Sequence, residues 1–190
     1  MNKRAEQVDE TRQRIIEATV EVHRTVGPAA GSISAIAELA GVTRLTVYRH
    51  FPDETTLFAA CTAHWMASQT PPNPQAWAAI EDPAERLHTG LADIYRYYRD
   101  GEQMLTNIFR DKATLPAESR NGLDERDRQF TDLLAAPFSV TPARSRLLRA
   151  LIGHAISFWT WRSLCVDQQL SDTQAVRAMA ALIIHHAAGS

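Results

Sequence analysis

The chain has 190 residues, 45% of them apolar, 20 Lys/Arg against 22 Asp/Glu, and a formal net charge of −2. That is enough apolar material for a small domain plus a larger one, or a single elongated one. The charge balance excludes a broadly basic nucleic-acid coat, and two cysteines far apart, Cys61 and Cys165, exclude a disulfide framework. A charged N-terminal stretch without an apolar core and the lack of a membrane-length apolar run lead to the expectation of a soluble cytoplasmic protein. Residues 1–8 read as a polar, disordered arm. A first helix is predicted from about Asp9 to Val26, with Ile15, Ile16, Thr19, Val22 and Val26 inward and Gly27-Pro28 ending it.

The next twenty residues are the most informative. Ser32 is a good N-cap, and Ile33, Ile36, Ala37 and Ala40 recur at helical spacing behind it. Gly41 sits where a helix can end in a left-handed residue, Val42 plugs the corner and Thr43 caps a second short helix. On that helix Val47 and Phe51 can face a core, which leaves Arg44, Leu45, Thr46, Tyr48, Arg49 and His50 facing outward. Arginine pairs bidentately with guanine, Thr and Leu touch a thymine methyl, and Tyr or His reaches phosphate. Two helices around a glycine turn with such a face read as a helix-turn-helix. Up to residue 64 there are seven Lys/Arg and eight Asp/Glu, so binding must rest on placement. Lys3, Arg4, Arg12 and Arg14 with Arg44 and Arg49 would form the local positive face.

Pro52 stops the second helix, Asp53 can cap a fourth from about Glu54 to Ser68, and Thr70-Pro71-Pro72-Asn73-Pro74 breaks the pattern. Helices then follow from Asp82-Pro83 to about Arg99, from Glu102 to Lys112, and from Pro116 to before Pro137. One long helix is predicted from Thr141-Pro142 to about Asp167, and a capping box at Ser171-Asp-Thr-Gln174 opens the last. The chain reads as all-α, about nine helices, with no strand-period stretch.

Residues 11–60 resemble the DNA-binding domain of the TetR (tetracycline repressor) family. The resemblance is carried by Ile36-Ala37-x-x-Ala40-Gly41-Val42-Thr43-x-x-Thr46-Val47-Tyr48-x-His50-Phe51-Pro52 and then Leu57-Phe58. It implies a helix-turn-helix domain over 1–53 with its arm over 1–8, a connecting helix over 54–70, and a ligand-binding and dimerisation domain over 75–190. It further implies DNA contacts by Ser32, Ser34, Arg44, Leu45, Thr46, Tyr48, Arg49 and His50, to which Thr43 is added as the cap of the second motif helix. Ser32, Thr43 and Tyr48 would fix register on phosphates; Arg44, Leu45, Thr46 and Arg49 would read bases. The family often places a lysine one residue into the fourth helix, where this chain has Glu54, so that phosphate contact is not carried over.

The resemblance implies a homodimer through the last two helices. The expected interface is Leu148, Leu151, Ile152, Ala155, Ile156 and Trp159 on one, and Val176, Met179, Ala180 and Ile183 on the other. The competing reading makes these stripes one subunit's own core. An effector pocket would draw on His88, Tyr95, Tyr98, Met104, Asn107, Phe109, Phe130, His154, Phe158 and Trp161. The partners expected are a palindromic double-stranded DNA operator, a small-molecule effector and a second copy, with no cofactor, metal or membrane. Cys61-x-x-His64 and His185-His186 lack further ligands for a metal. No nucleophile elbow or glycine-rich phosphate loop argues for an enzyme. An adaptor module using the motif only as a fold unit is the alternative to a DNA-binding regulator.

Overall fold

The computed structural model describes the backbone of residues 3–189, with side chains from Ala5 on. Every regular element among the described residues is helical: eleven α-helices, one 3₁₀ turn and one π turn. None of these helices is long and apolar enough to cross a membrane. The chain forms two compact units that do not follow it linearly: residues up to Thr70 with Gly101–Asn121, and Pro71–Asp100 with the chain from Gly122 on.

The first unit holds α1 (Lys3–Thr25), α2 (Ile33–Leu39), α3 (Arg44–His50), α4 (Glu54–Ala67) and, returning later in the chain, α7 (Glu102–Arg110). Residues 3–8, expected as a disordered arm, are the first two turns of α1; residues 1–2 of that arm lie outside the described residues. Val26, expected inward, is 48% exposed because α1 ends at Thr25 and the chain turns at Gly27. Ile15, Ile16, Ala18 and Val22 of α1 form a core with Ile36 and Ala37 of α2, its C-cap Ala40, Val47, Phe51 and Leu57. Thr19, fully buried, returns its hydroxyl to the Ile15 carbonyl at 2.7 Å and so leaves no unpaired donor.

α7 clamps the end of α1. Asn107 Nδ2 donates to the carbonyls of His23 (3.0 Å) and Arg24 (2.8 Å), two of the acceptors a helix end leaves without a partner. Arg110 donates to the Val26 carbonyl, and Asp111 accepts from the Ala29 amide at 3.1 Å. Gly27 has φ +92°, and a Cβ there would collide with Arg110 and Asp111, so the clamp closes only over glycine.

The second unit holds α5 (Pro74–Ala78), α6 (Pro83–Asp100), most of α8 (Ala117–Ala135), α9 (Pro142–Ala155), α10 (Phe158–Trp161) and α11 (Asp172–Ala188). The short α5, for which no helix was expected, starts at the last residue of the stretch read as a break. Asn73 caps it, and Trp77 buries its ring and donates Nε1 to Asp93 of α6 at 3.0 Å. The single helix expected from Thr141 to Asp167 is broken at Ile156 and Ser157, continues as α10 and ends in a π turn over Arg162–Asp167. Tyr95 and Tyr98 of α6 explain the break. Their hydroxyls donate to the carbonyls of Ala155 (2.9 Å) and Ile156 (2.8 Å), which pair outside the helical ladder. These two departures account for the count above nine. The capping box at Ser171 and Gln174 is formed in both directions.

Candidate nucleic-acid interface

The recognition motif is built as its sequence predicts. Ser32 Oγ accepts from the Ala35 amide at 3.1 Å and Thr43 Oγ1 from the Thr46 amide at 3.2 Å, so each short helix starts on a side-chain cap. Between them Gly41 takes φ +64°, and the Val42 amide closes on the Ala37 carbonyl at 2.9 Å. Val47 and Phe51, at 0% and 1% exposure, bolt α3 to the core.

The rest of α3 then faces out. Leu45, 67% exposed, and Arg49, one turn later, lie opposite the buried anchors. Arg44 and Tyr48 flank them on one side, both exposed, and Thr46 and His50 on the other, both half-buried. The Thr46 hydroxyl lies 3.0 Å from that of Thr43, so its methyl is the part left for a base. Ser32 and Ser34 are exposed at the start of α2.

Two arginines of α1 frame this face. Arg12 stacks its guanidinium 4.9 Å from the Phe51 ring centroid, and Arg14 reaches the turn beside Gly41. Both belong to the positive set expected from the sequence. Lys3 and Arg4, placed in the same positive set, have side chains outside the described ones. Glu54 opens α4 as its first residue, behind an Asp53 cap that accepts from the Thr56 amide at 2.7 Å. That hydrogen bond holds the Asp53 carboxyl below its ordinary value.

Beneath the motif, His23 is buried against the Phe58 ring, with Nδ1 3.6 Å from Cys61 Sγ. Burial pushes its pKa down to about 4 against a weaker opposing pull from Asp111, and pushes the Cys61 thiol up to about 12. A thiol so held stays protonated at neutral pH. Among the described residues no three His, Cys, Asp or Glu side chains gather as a metal site.

Residues 15–61 match the model of the family described as bacterial regulatory proteins, tetR family. The HTH-type transcriptional repressor NicS of Pseudomonas putida is 32% identical over 95 residues, 50% of this chain and 45% of that protein. The chain thus spans less than half of that curated relative. A TetR-like transcriptional regulator from Rhodococcus sp. RHA1 superposes with a TM-score of 0.66 at 20% identity, over 95% of this chain and 97% of the other. AibR, solved with isovaleryl coenzyme A and operator DNA, gives 0.64 at 21% identity over 90% and 97%. Residues 15–61 are thus similar to the N-terminal segment of TetR-family regulators, and the chain as a whole shares their fold.

The residues expected to form one effector pocket divide between the two compact units. Met104, Asn107 and Phe109 lie on α7, in the first unit, where the Asn107 amide is spent on the end of α1. Tyr95, Tyr98, Phe158 and Trp161 pack on one another in the second unit, with Tyr98 edge-on to Phe158 at 5.3 Å and Phe158 5.4 Å from Trp161. They are closed core. Phe130 packs edge-on to Trp77 at 5.0 Å, and His154 is exposed on α9 beside Thr160. His88 lines a groove of about 490 Å³ between α6 and α11, with Arg96, Arg99, Asp172, Val176 and Arg177.

The expected dimer residues divide as well. Leu148, Ile152, Ala155, Ile156, Val176, Ala180 and Ile183 are buried inside the unit, as the competing core reading had it. Leu151 and Met179 are half-buried, and Trp159 is 46% exposed. A second stripe faces out on each helix: Leu147, Ala150, Leu151 and His154 on α9, and Ala178, Ala181, Leu182 and His185 on α11. Leu147 and Leu182 are 51% and 57% exposed.

Proposed function

We propose that the chain is a dimeric repressor that reads a palindromic operator with α3 and is released from it by a small-molecule effector. The observation carrying this is the outward face of Arg44, Leu45, Tyr48 and Arg49 on a helix whose other side is locked by Val47 and Phe51. Such a helix enters a major groove without its side chains leaving any packing behind. Arg44, Leu45, Thr46 and Arg49 read bases; Ser32, Ser34, Thr43, Tyr48 and His50, framed by Arg12 and Arg14, hold phosphates. The relative named as a transcriptional repressor supports the sign of regulation.

The outer stripes of α9 and α11 supply the dimer. Two helices that each expose leucine, alanine and histidine at i, i+3, i+4 and i+7 pair with a second copy as a four-helix bundle. A two-fold pair would set its recognition helices about 34–36 Å apart, one turn of DNA. The α6–α11 groove is the effector site in this reading, within the size of small-molecule pockets and carrying three arginines for an acidic ligand. An effector bound there shifts the protein only as far as it prefers the conformer that fits DNA poorly. The protein would work in the cytoplasm, and as a regulator rather than an enzyme.

Selection of bound sequences from a random DNA pool at two salt concentrations tests the reading. A recovered palindrome supports it. Sequence-blind binding that vanishes at modest salt would leave charge attraction alone and favour the adaptor.

A further inference from the structure

A cavity of about 80 Å³ lies inside the first unit, under the recognition motif and apart from the groove described above. α1 contributes Thr19 and His23, α2 Ile33, α4 Glu54 and Leu57, and the segment after α7 Leu115. Every wall belongs to the same compact unit.

Its chemistry is mixed in a particular way. Ile33, Leu57 and Leu115 offer apolar surface, which in a wholly apolar cavity would stay dry. His23 adds a ring whose polar contact among the described residues is the long approach to Cys61. Thr19 adds a hydroxyl that donates to Ile15 and keeps its acceptor capacity. Glu54 is the one acidic residue on the lining and repels anions, while the α4 N-terminus, which starts at that residue, offsets part of its pull on a cation. Burial keeps the His23 ring neutral at neutral pH, so it offers no charge to pair with.

We propose that this cavity is a binding site for a small neutral aliphatic molecule carrying one hydroxyl or carbonyl group. The alkyl part packs on Ile33, Leu57 and Leu115, and the polar group meets His23. Its size bounds the ligand: an apolar cavity of about 150 Å³ holds benzene, so this one of about 80 Å³ takes roughly three to four heavy atoms. Such a ligand binds no tighter than on the order of tens of micromolar. An occupant touches α2 and α4, the helices that hold α3, and so reaches the DNA-binding unit directly.

The test is a methyl-resolved NMR titration of the full chain with propan-1-ol, and separately with propionate and propylammonium, through the millimolar range. The expected result is saturable shifts at Ile33, Ile36, Leu57 and Leu115 with propan-1-ol, at least tenfold weaker with either ion. Thr114→Leu, which narrows the rim, should abolish the response without changing the circular-dichroism melt. Xenon pressurisation of the unaltered chain should move the same methyls and needs no variant. Linear shifts spread over surface methyls, an equal response to propionate, or a fully responsive Thr114→Leu chain would each overturn the proposal. So would silence toward both propan-1-ol and xenon, which means the cavity holds water only.

Discussion

Arg44 and His23 carry opposite tasks within one small unit. Arg44 is exposed and holds nothing up, so removing it tests recognition alone. Arg44→Ala should weaken binding to a selected operator by about 1–3 kcal/mol and relax preference at one base pair. An unchanged binding curve would strike Arg44 from the interface. His23 is the reverse, a buried residue whose loss tests the fold. Its folded pKa is near 4 and its unfolded value near 6.5. The unfolded chain therefore binds more protons between those values, and stability falls as pH drops through that window. The full effect is about 3 kcal/mol, complete below pH 4 and absent above about pH 7. Asp111, held low mainly by its hydrogen bond from Arg110, acts in a lower window: its support is present above the ordinary carboxylate pKa and lost as pH falls further. Denaturant melts from pH 7.5 to 4.5 should thus show a slope that His23→Phe flattens. An equal slope in both chains would mean that another group sets it.

The helix-turn-helix is held by local devices, each at an element end. Gly41 shows how one acts. A Cβ there meets nothing nearer than Arg14 at 3.8 Å, so the turn has room for a side chain. What it lacks is tolerance for φ +64°. Gly41→Ala should therefore lower stability by about 1–2 kcal/mol through backbone strain alone. Thermal melts can measure this, and α3 should keep its outward face. A loss several times larger would reveal a packing role that the open space denies. The break after α9 follows another logic. No proline or glycine interrupts Ala155-Ile-Ser-Phe158, and the helix yields because two tyrosine hydroxyls on α6 take its carbonyls.

For the whole molecule, the open question is what covers the outer faces of α9 and α11. Leucines more than half exposed on two neighbouring helices are an interface pattern, and the proposed dimer would cover them. Leu182→Glu would place a charge in the middle of that face without touching the buried stripe of Val176, Ala180 and Ile183. The expected outcome is a monomer by sedimentation, with unchanged helical circular dichroism and operator affinity reduced at least tenfold. A variant that remains dimeric would move the interface elsewhere. Leu148→Glu makes the contrast: its site is 1% exposed, so it should unfold the unit rather than dissociate it.

The recognition motif was legible in the sequence because its determinants are local. Ser32, Gly41 and Thr43 each act on a backbone group within a few residues, and the Val47–Phe51 spacing alone orients α3. Composition and helical period likewise settled the all-α class and most helix starts. Only the tertiary structure decided the rest. Periodicity shows that α9 and α11 carry apolar stripes but not which stripe meets the subunit's own core, since both faces are apolar. It could not show that α7 returns to the first unit, because the contacts of Asn107 with the end of α1 and of Asp111 with Ala29 span more than eighty residues. The division of the expected pocket residues between two units was hidden for the same reason. Aromatic residues near one another in sequence are equally fit to line a cavity or fill a core, and packing between distant segments chooses.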